Sequence, residues 1–242
     1  SSDVCSSDLF PMKLKSFGCS FIFGTDLTDD GRDLPIPTAS NLTWPAHLAR
    51  HCGYDYECYA RPGSGNLQIA ERVLSHASED PTLTFYVIGW TWIDRFDYTN
   101  STITNHPMAS KWNNWRTIMP VDDTELAHIY YKGLHSEYRD KLTTLMSMKL
   151  VIDTLRQKNF PFIMTCQDEL VFDNKWNTTS AVSELQNYVK PYITTFDGLS
   201  FLDWSRQNKF PISNTMHPLE EAHRAAGDLM IKVFRRQNIV DC

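Results

Sequence analysis

The sequence predicts an α/β fold, a three-layer sandwich around a mostly parallel, flavodoxin-like sheet of about five strands. Three observations predict it. Short β-prone runs alternate with longer segments whose apolar residues recur at helical spacing. One run, Leu83-Thr-Phe-Tyr-Val-Ile88, is apolar or β-branched almost throughout, as a parallel strand covered on both faces must be. Turns rich in glycine follow the carboxyl ends of these runs, where open α/β sheets bind ligands.

Bulk composition narrows the class. A chain of 242 residues with 42% hydrophobic and 12% aromatic side chains suits one sizeable domain and excludes a disordered polymer. The formal charge of −6 and the lack of a basic run argue against nucleic acid as a partner. No window approaches the roughly eighteen unbroken apolar residues of a membrane span. Residues 1–11 repeat Ser-Ser-Asp without any apolar period and read as an artefactual leader, with 12–242 as the single domain and Met12 as the natural start. Removing Asp3 and Asp8 leaves the balance acidic. A start at Met12 has no room for a signal peptide, and the five remaining cysteines show no disulfide spacing, so a reduced, cytoplasmic protein is expected. The glycosylation patterns at Asn41, Asn100 and Asn177 are then coincidental.

The first strand is expected over 13–17, followed by a turn bracketed by Gly18 and Gly24 that carries Ser20. Such a turn holds a serine out at the sheet edge, which suits a nucleophile as well as an ordinary βα connection. Residues 25–38, rich in Asp, Gly and Pro, read as a loop beside it. A helix starts from a cap among Asn41, Leu42 and Thr43, tolerates Pro45 in its first turn and stops at Gly53. His47 and His51 share it, near Cys52 and Cys58, but the spacing matches no familiar zinc site and no metal is expected.

A second strand over 54–60 leads through Arg61-Pro62-Gly63-Ser64-Gly65-Asn66 into a helix with apolar Leu67, Ala70, Val73, Leu74 and Ala77. Backbone amides at that glycine-rich start would attract a developing negative charge, although the lysine of a phosphate loop is missing. The central run at 83–88 ends in Gly89-Trp90-Thr91-Trp92, where the two tryptophans serve either the core or a substrate platform. Residues 98–123 lack a period, carry Trp112 and Trp115, and read as a cap-like insertion over the cleft. Residues 124–158 are strongly helical with a break near Gly133; a strand over 160–165, a helix over 180–189 and a last short strand over 199–202 complete the core. Pro218, the acidic first turn of Glu220 and Glu221, and the basic Lys232, Arg235 and Arg236 frame a final helix that His217 precedes. His223 lies six positions further on and is the weaker base.

Gly18-Cys19-Ser20-Phe-Ile-Phe-Gly24 resembles the first motif block, Gly-Asp-Ser-x-x-x-Gly, of the SGNH (GDSL-like) hydrolases. Gly63-Ser-Gly65-Asn66, Ile88-Gly-Trp-Thr91 and His217-Pro218 follow in the order of that family's other blocks, spanning nearly the whole chain from Lys13 on. The resemblance implies a serine esterase without metal or organic cofactor, acting on an acyl ester such as a carbohydrate O-acetyl group or a short-chain ester. Ser20 would attack and His217 would act as general base and then acid. Ser20, Gly65 and Thr91 would form the oxyanion hole, with Asn66, Trp90 and Trp92 on the substrate. Three positions depart from the pattern. Cys19 replaces the aspartate of the first block, Thr91 stands in for an asparagine donor, and Asn214 stands where an aspartate orients the histidine. Asp203 and a backbone carbonyl are other candidate orienters. The alternative function is a degenerate domain of the same fold that binds a glycan or a protein without turnover; acyl transfer to an acceptor other than water is a third. Oligomeric state is not legible.

Overall fold

The computed structural model describes residues 12–99 and 115–236, so the leader at 1–11 and Trp112 of the expected cap lie outside the described residues. Strand β1 (Lys13–Phe17) is the centre from which the sheet is built. It pairs in parallel with β2 (Asp55–Cys58) on one side and β3 (Thr84–Trp90) on the other, and β3 pairs in parallel with β6 (Phe162–Cys166). The order β2-β1-β3-β6 is the flavodoxin-like order expected of the fold class. Among the described residues four strands form the sheet instead of about five. Ile193 adds one parallel bridge beside Met164, and the run expected as a last strand, 199–202, enters a helix instead. The reason is local. Ser200 accepts a hydrogen bond from the Asp203 amide and donates one to the Asp203 carboxylate, a reciprocal cap that starts a helix where β-propensity alone favours a strand.

Helices cover both faces. On one, α1 (Ser20–Phe23), α2 (Trp44–Cys52), α7 (Phe201–Gln207) and α8 (Glu220–Arg236) enclose Leu14, Phe85, Val87 and Ile163. On the other, α3 (Asn66–His76), α5 (Glu137–Gln157) and α6 (Ser180–Val189) enclose Phe17, Tyr86, Ile88 and Met164. All seven residues of β3 are buried, as its continuous apolar run requires. Thr43 caps α2 by accepting from the Ala46 amide, Pro45 sits in the first turn, and Gly53 closes the helix in the left-handed conformation at φ 68°. Inside the first strand, Lys15 is buried but reaches Glu57 at 3.1 Å and Glu79 at 2.5 Å, so its charge is compensated.

The long helical segment breaks after Gly133 into α4 (Glu125–Gly133) and α5, which Ser136 caps through the Arg139 amide. Leu126, Ile129 and Leu134 of this segment are exposed although they continue its apolar period. Part of the segment expected to be an irregular cap is regular: β4 (Phe96–Thr99) and β5 (Trp115–Ile118) pair antiparallel outside the main sheet. Among the described residues no helix is long and apolar enough to cross a membrane.

Two glycines let β1 and β3 end close together. A Cβ on Gly18 would lie 2.6 Å from Ile22 Cγ1 and 2.9 Å from the Gly89 carbonyl; one on Gly89 would lie 2.5 Å from the same Ile22 carbon. The Ile22 side chain thus fills the space that places α1, and with it Ser20, on the sheet edge. Gly18→Ala is expected to lower the unfolding free energy by about 1–3 kcal/mol, the usual cost of overpacking, read as a lower denaturant midpoint at unchanged slope.

Candidate active site

Ser20 opens α1 directly after β1, so its own amide is an orphan donor at a helix start and its hydroxyl faces the sheet rim. Its partner arrives from the far end of the chain. Between Pro211 and Leu219 the backbone folds back on itself, with the Ser213 amide donating to the His217 carbonyl and the Leu219 amide to the Pro211 carbonyl. Ile212 and Pro218 form a bridge, so α8 begins at Glu220 and His217 stands before it on a hairpin-like turn. The His217 Nε2 atom lies 2.8 Å from Ser20 Oγ.

The other imidazole nitrogen, Nδ1, lies 2.8 Å from Asp26 Oδ2. Asn214, the expected orienter, is exposed, and its side chain makes no hydrogen bond among the described residues. Asp203 serves the α7 cap and pairs with Arg206. The acid comes instead from the loop after the serine. Gly24 at φ 85° and Asp26 at φ 71° both adopt left-handed backbone, which turns the chain sharply enough to return a carboxylate to the residue six positions earlier. The sequence signal was the short polar residue after Gly24 and Thr25 in a loop already expected beside the site. No spacing rule from the histidine leads to it.

Asp26 is heavily solvated by protein. Its Oδ2 accepts from Ser213 Oγ at 2.7 Å, from Thr215 Oγ1 and from His217, while Oδ1 accepts from Arg32 Nη2 at 2.7 Å. Partial burial alone would raise this carboxyl. The donors from Thr215, Ser213, His217 and Arg32 outweigh it and hold the group well below the usual carboxylate range. His217 moves the other way: burial lowers its imidazole, the Asp26 hydrogen bond and charge oppose this, and Arg32 and Arg95 lower it further. The net position is below its ordinary value of 6.5. The ring is therefore neutral near pH 7, with an ionised carboxylate on one nitrogen and a hydroxyl on the other.

The remaining expected site residues are placed differently. The Gly65 amide, expected in the oxyanion hole, donates to Asp97 Oδ1 at 3.0 Å, and the Gln68 amide donates to Asp97 Oδ2 at 2.9 Å. Asp97 of β4 thus caps α3 from outside, also accepting from Thr117 Oγ1 at 2.6 Å. Asn66 is buried. Its amide nitrogen donates to the Thr91 carbonyl at 3.1 Å and to Thr144 Oγ1 at 3.2 Å, and its oxygen accepts from the Thr91 amide at 2.8 Å, so it ties α3 to the end of β3 rather than facing a substrate. The Thr91 hydroxyl is buried without a hydrogen-bond partner among the described residues. Trp90 is fully buried in the core against α3 and α5, whereas Trp92 is half-buried and packs edge-on against Phe21. His223 is buried, accepts from the Trp44 amide at 3.1 Å and is pushed down to about 3, so it caps α2 as a neutral ring. His47 and His51 pair with Asp228 and Arg235, and among the described residues no group of three or more His, Cys, Asp and Glu side chains could hold a metal ion.

Ser20 and His217 open into a cleft of about 630 Å³, lined also by Gly63, Trp92, Met119 and Val121. Met119 and Val121 follow β5, so the expected insertion contributes one wall.

No protein-family model and no curated protein sequence matches the chain. Solved structures share its architecture at low identity. A lipolytic protein of the G-D-S-L family from Veillonella parvula DSM 2008 is 14% identical, with 93% of this chain and 99% of that one covered at a TM-score of 0.50. A psychrotrophic esterase from Pseudoalteromonas sp. is 9% identical, covers 93% and 97%, and has a TM-score of 0.51. An acetyl xylan esterase from the rumen bacterium Butyrivibrio proteoclasticus is 13% identical over 95% of this chain but only 65% of its own, at a TM-score of 0.50. The fold is therefore that of the GDSL-type lipolytic proteins which the four sequence blocks resemble.

The electrostatics give a direct test without any substrate. The His217 ring signals in NMR are expected to titrate with a midpoint below 6.5. Because the Asp26 carboxylate favours the protonated ring, Asp26→Asn is expected to move that midpoint further down; an upward move would contradict the assignment.

Proposed function

We propose that this chain is a serine ester hydrolase in which Ser20, His217 and Asp26 act as nucleophile, general base and orienting acid. The single observation that carries the reading is the unbroken line of contacts, 2.8 Å from Ser20 Oγ to His217 Nε2 and 2.8 Å from His217 Nδ1 to Asp26 Oδ2, opening into a cleft. His217 takes the Ser20 proton as Oγ bonds to the acyl carbon. The imidazolium so formed is stabilised by Asp26, and the proton then passes to the departing alcohol. Water, deprotonated by the same ring, attacks the acyl-serine; its Oγ–carbon bond breaks, the proton returns to Ser20 and the acid leaves. The Ser20 amide, first in α1, would serve as an oxyanion donor. The solved esterases that share the fold favour acyl esters as the substrate class.

The rival reading, a cleft that binds without turnover, draws on specific observations: the Gly65 amide is engaged by Asp97, and Thr91 does not line the cleft. Each missing oxyanion donor costs about 10²–10³ in turnover elsewhere, which slows such an enzyme without removing the chemistry. Hydrolysis of para-nitrophenyl acetate separates the two.

The wild-type chain is expected to hydrolyse that ester, and Ser20→Ala and His217→Ala to lose the activity with unchanged circular dichroism. No hydrolysis by the folded wild type would favour the binding reading. Asp26→Asn is expected to lower kcat by about 10⁴, as loss of the orienting carboxylate does in a serine protease. A base must be unprotonated, so kcat/KM should rise with pH through the His217 midpoint, placing the acid limb of the profile below pH 6.5.

A further inference from the structure

The hydrolase reading leaves the substrate open, and the charge of the cleft narrows it. Three charged side chains other than the catalytic pair line the cleft, Arg32, Arg95 and Arg206, and no carboxylate lines it among the described residues. That is unexpected of a chain with a formal charge of −6. Two of the three are compensated. Arg32 reaches Asp26 at 2.7 Å and Asp30 at 3.2 Å, and Arg206, at an exposed flank, reaches Asp203 at 3.1 Å.

Arg95 differs. Its Nη1 donates to the Ser64 carbonyl at 3.1 Å, and its guanidinium lies 5.1 Å from the Trp92 ring centroid. Among the described residues it forms no ion pair. Its chain neighbour Asp94 lines two adjoining cavities, one shared with Arg95 and one with Asp140 and Asp168; burial and the Asp168 charge push the Asp94 carboxyl up, the Arg95 charge draws it down, and no ion-pair contact joins the two side chains among the described residues. A guanidinium that, among the described residues, is held by one backbone carbonyl and one aromatic face has further donors in a fixed plane, the arrangement suited to two-point recognition of a carboxylate. Its charge also reaches the reaction centre, since it lowers the His217 imidazole. A cleft with a positive wall beside the nucleophile concentrates anionic substrates.

We infer that the substrate is an ester bearing a second, anionic group, a carboxylate, which Arg95 holds over Trp92 while Ser20 attacks the acyl carbon. This rests on the hydrolase reading for its chemistry but not for its binding, and the test keeps the two apart.

In the binding arm, the Ser20→Ala protein is titrated calorimetrically at low salt with monomethyl glutarate and with its uncharged match, dimethyl glutarate. The anion is expected to bind about tenfold more tightly, the scale of one charge-assisted hydrogen bond. That advantage should fall below about threefold when Arg95→Gln is added, be partly kept by Arg95→Lys, and shrink at ~0.5 M salt. Equal binding of the two ligands, or an anion preference that survives Arg95→Gln in a protein with native circular dichroism, overturns the proposal. In the turnover arm, the ratio of kcat/KM for mono-para-nitrophenyl glutarate over para-nitrophenyl butyrate is expected to exceed about ten in the wild type and to collapse in Arg95→Gln through KM. Hydrolysis of both esters with no anion preference sinks the anion site alone. Anion binding without hydrolysis of either ester sinks the hydrolase reading and leaves the site standing.

Discussion

The structure around the cleft depends on one ionised carboxylate. Asp26 accepts from Arg32, Ser213, Thr215 and His217, and those donors come from two loops almost two hundred positions apart. Half-burying a carboxylate is unfavourable unless its lone pairs are filled, and filling them draws the 211–219 turn onto the loop that follows α1. The contact of Glu220 with the Thr28 amide, 2.8 Å, joins the same two segments a few residues away. The meeting of Ser20 and His217 is thus a consequence of how Asp26 is solvated, and the charge that orients the imidazole is also the charge that closes the loops.

The scaffold was legible because its signals are local and agree with one another. The apolar run of β3, the Thr43 cap with Pro45 and Gly53, and the break after Gly133 each follow from a few neighbouring residues. Ser20 and His217 each sit at an element boundary that the pattern marks, but local pattern alone also suits a turn serine and a capping histidine, and it is the order of the four motif blocks that pairs them. Asp26 was not legible. Its position is set by two left-handed residues in a loop without periodicity, and its role depends on donors from the other end of the chain. The 199–202 segment was misread for a related reason: a side-chain cap of two hydrogen bonds decides it against a short apolar pattern.

Gly65 and Asn66 show a different limit. Their residue types agree with the motif blocks they resemble, yet their hydrogen-bonding groups face inward. Asp97, brought by β4, takes the amides of Gly65 and Gln68, and a Cβ on Gly65 would lie 2.6 Å from the Asp97 oxygens, so glycine is required there by the acid that caps α3. Burial raises the Asp97 carboxyl, and hydrogen bonds from Thr117, Gln68 and Gly65 offset this. A motif glycine can therefore answer to packing by a neighbouring element rather than to a reacting oxygen, and spacing alone does not distinguish the two.

The same ribbon shapes the cleft on its other side. Asp97 fixes β4 to the start of α3, and Tyr131 Oη donates to the Asp94 and Ile118 carbonyls at the end of the ribbon where Phe96 pairs with Ile118. Arg95 lies between these anchors, so its backbone is held from both sides while its guanidinium bonds the Ser64 carbonyl of the turn facing it. A side chain with four rotatable bonds loses much freedom when it binds an anion, and that loss is smaller when the head group is already held in place. The insertion thus does two things with adjacent residues: Asp97 removes a donor from the expected oxyanion position, and Arg95 sets a fixed cation into the wall beside the nucleophile. Both effects follow from the anchoring of β4 to the start of α3, and on the hydrolase reading they give the ribbon, alongside the motif blocks, a part in deciding which ester fits.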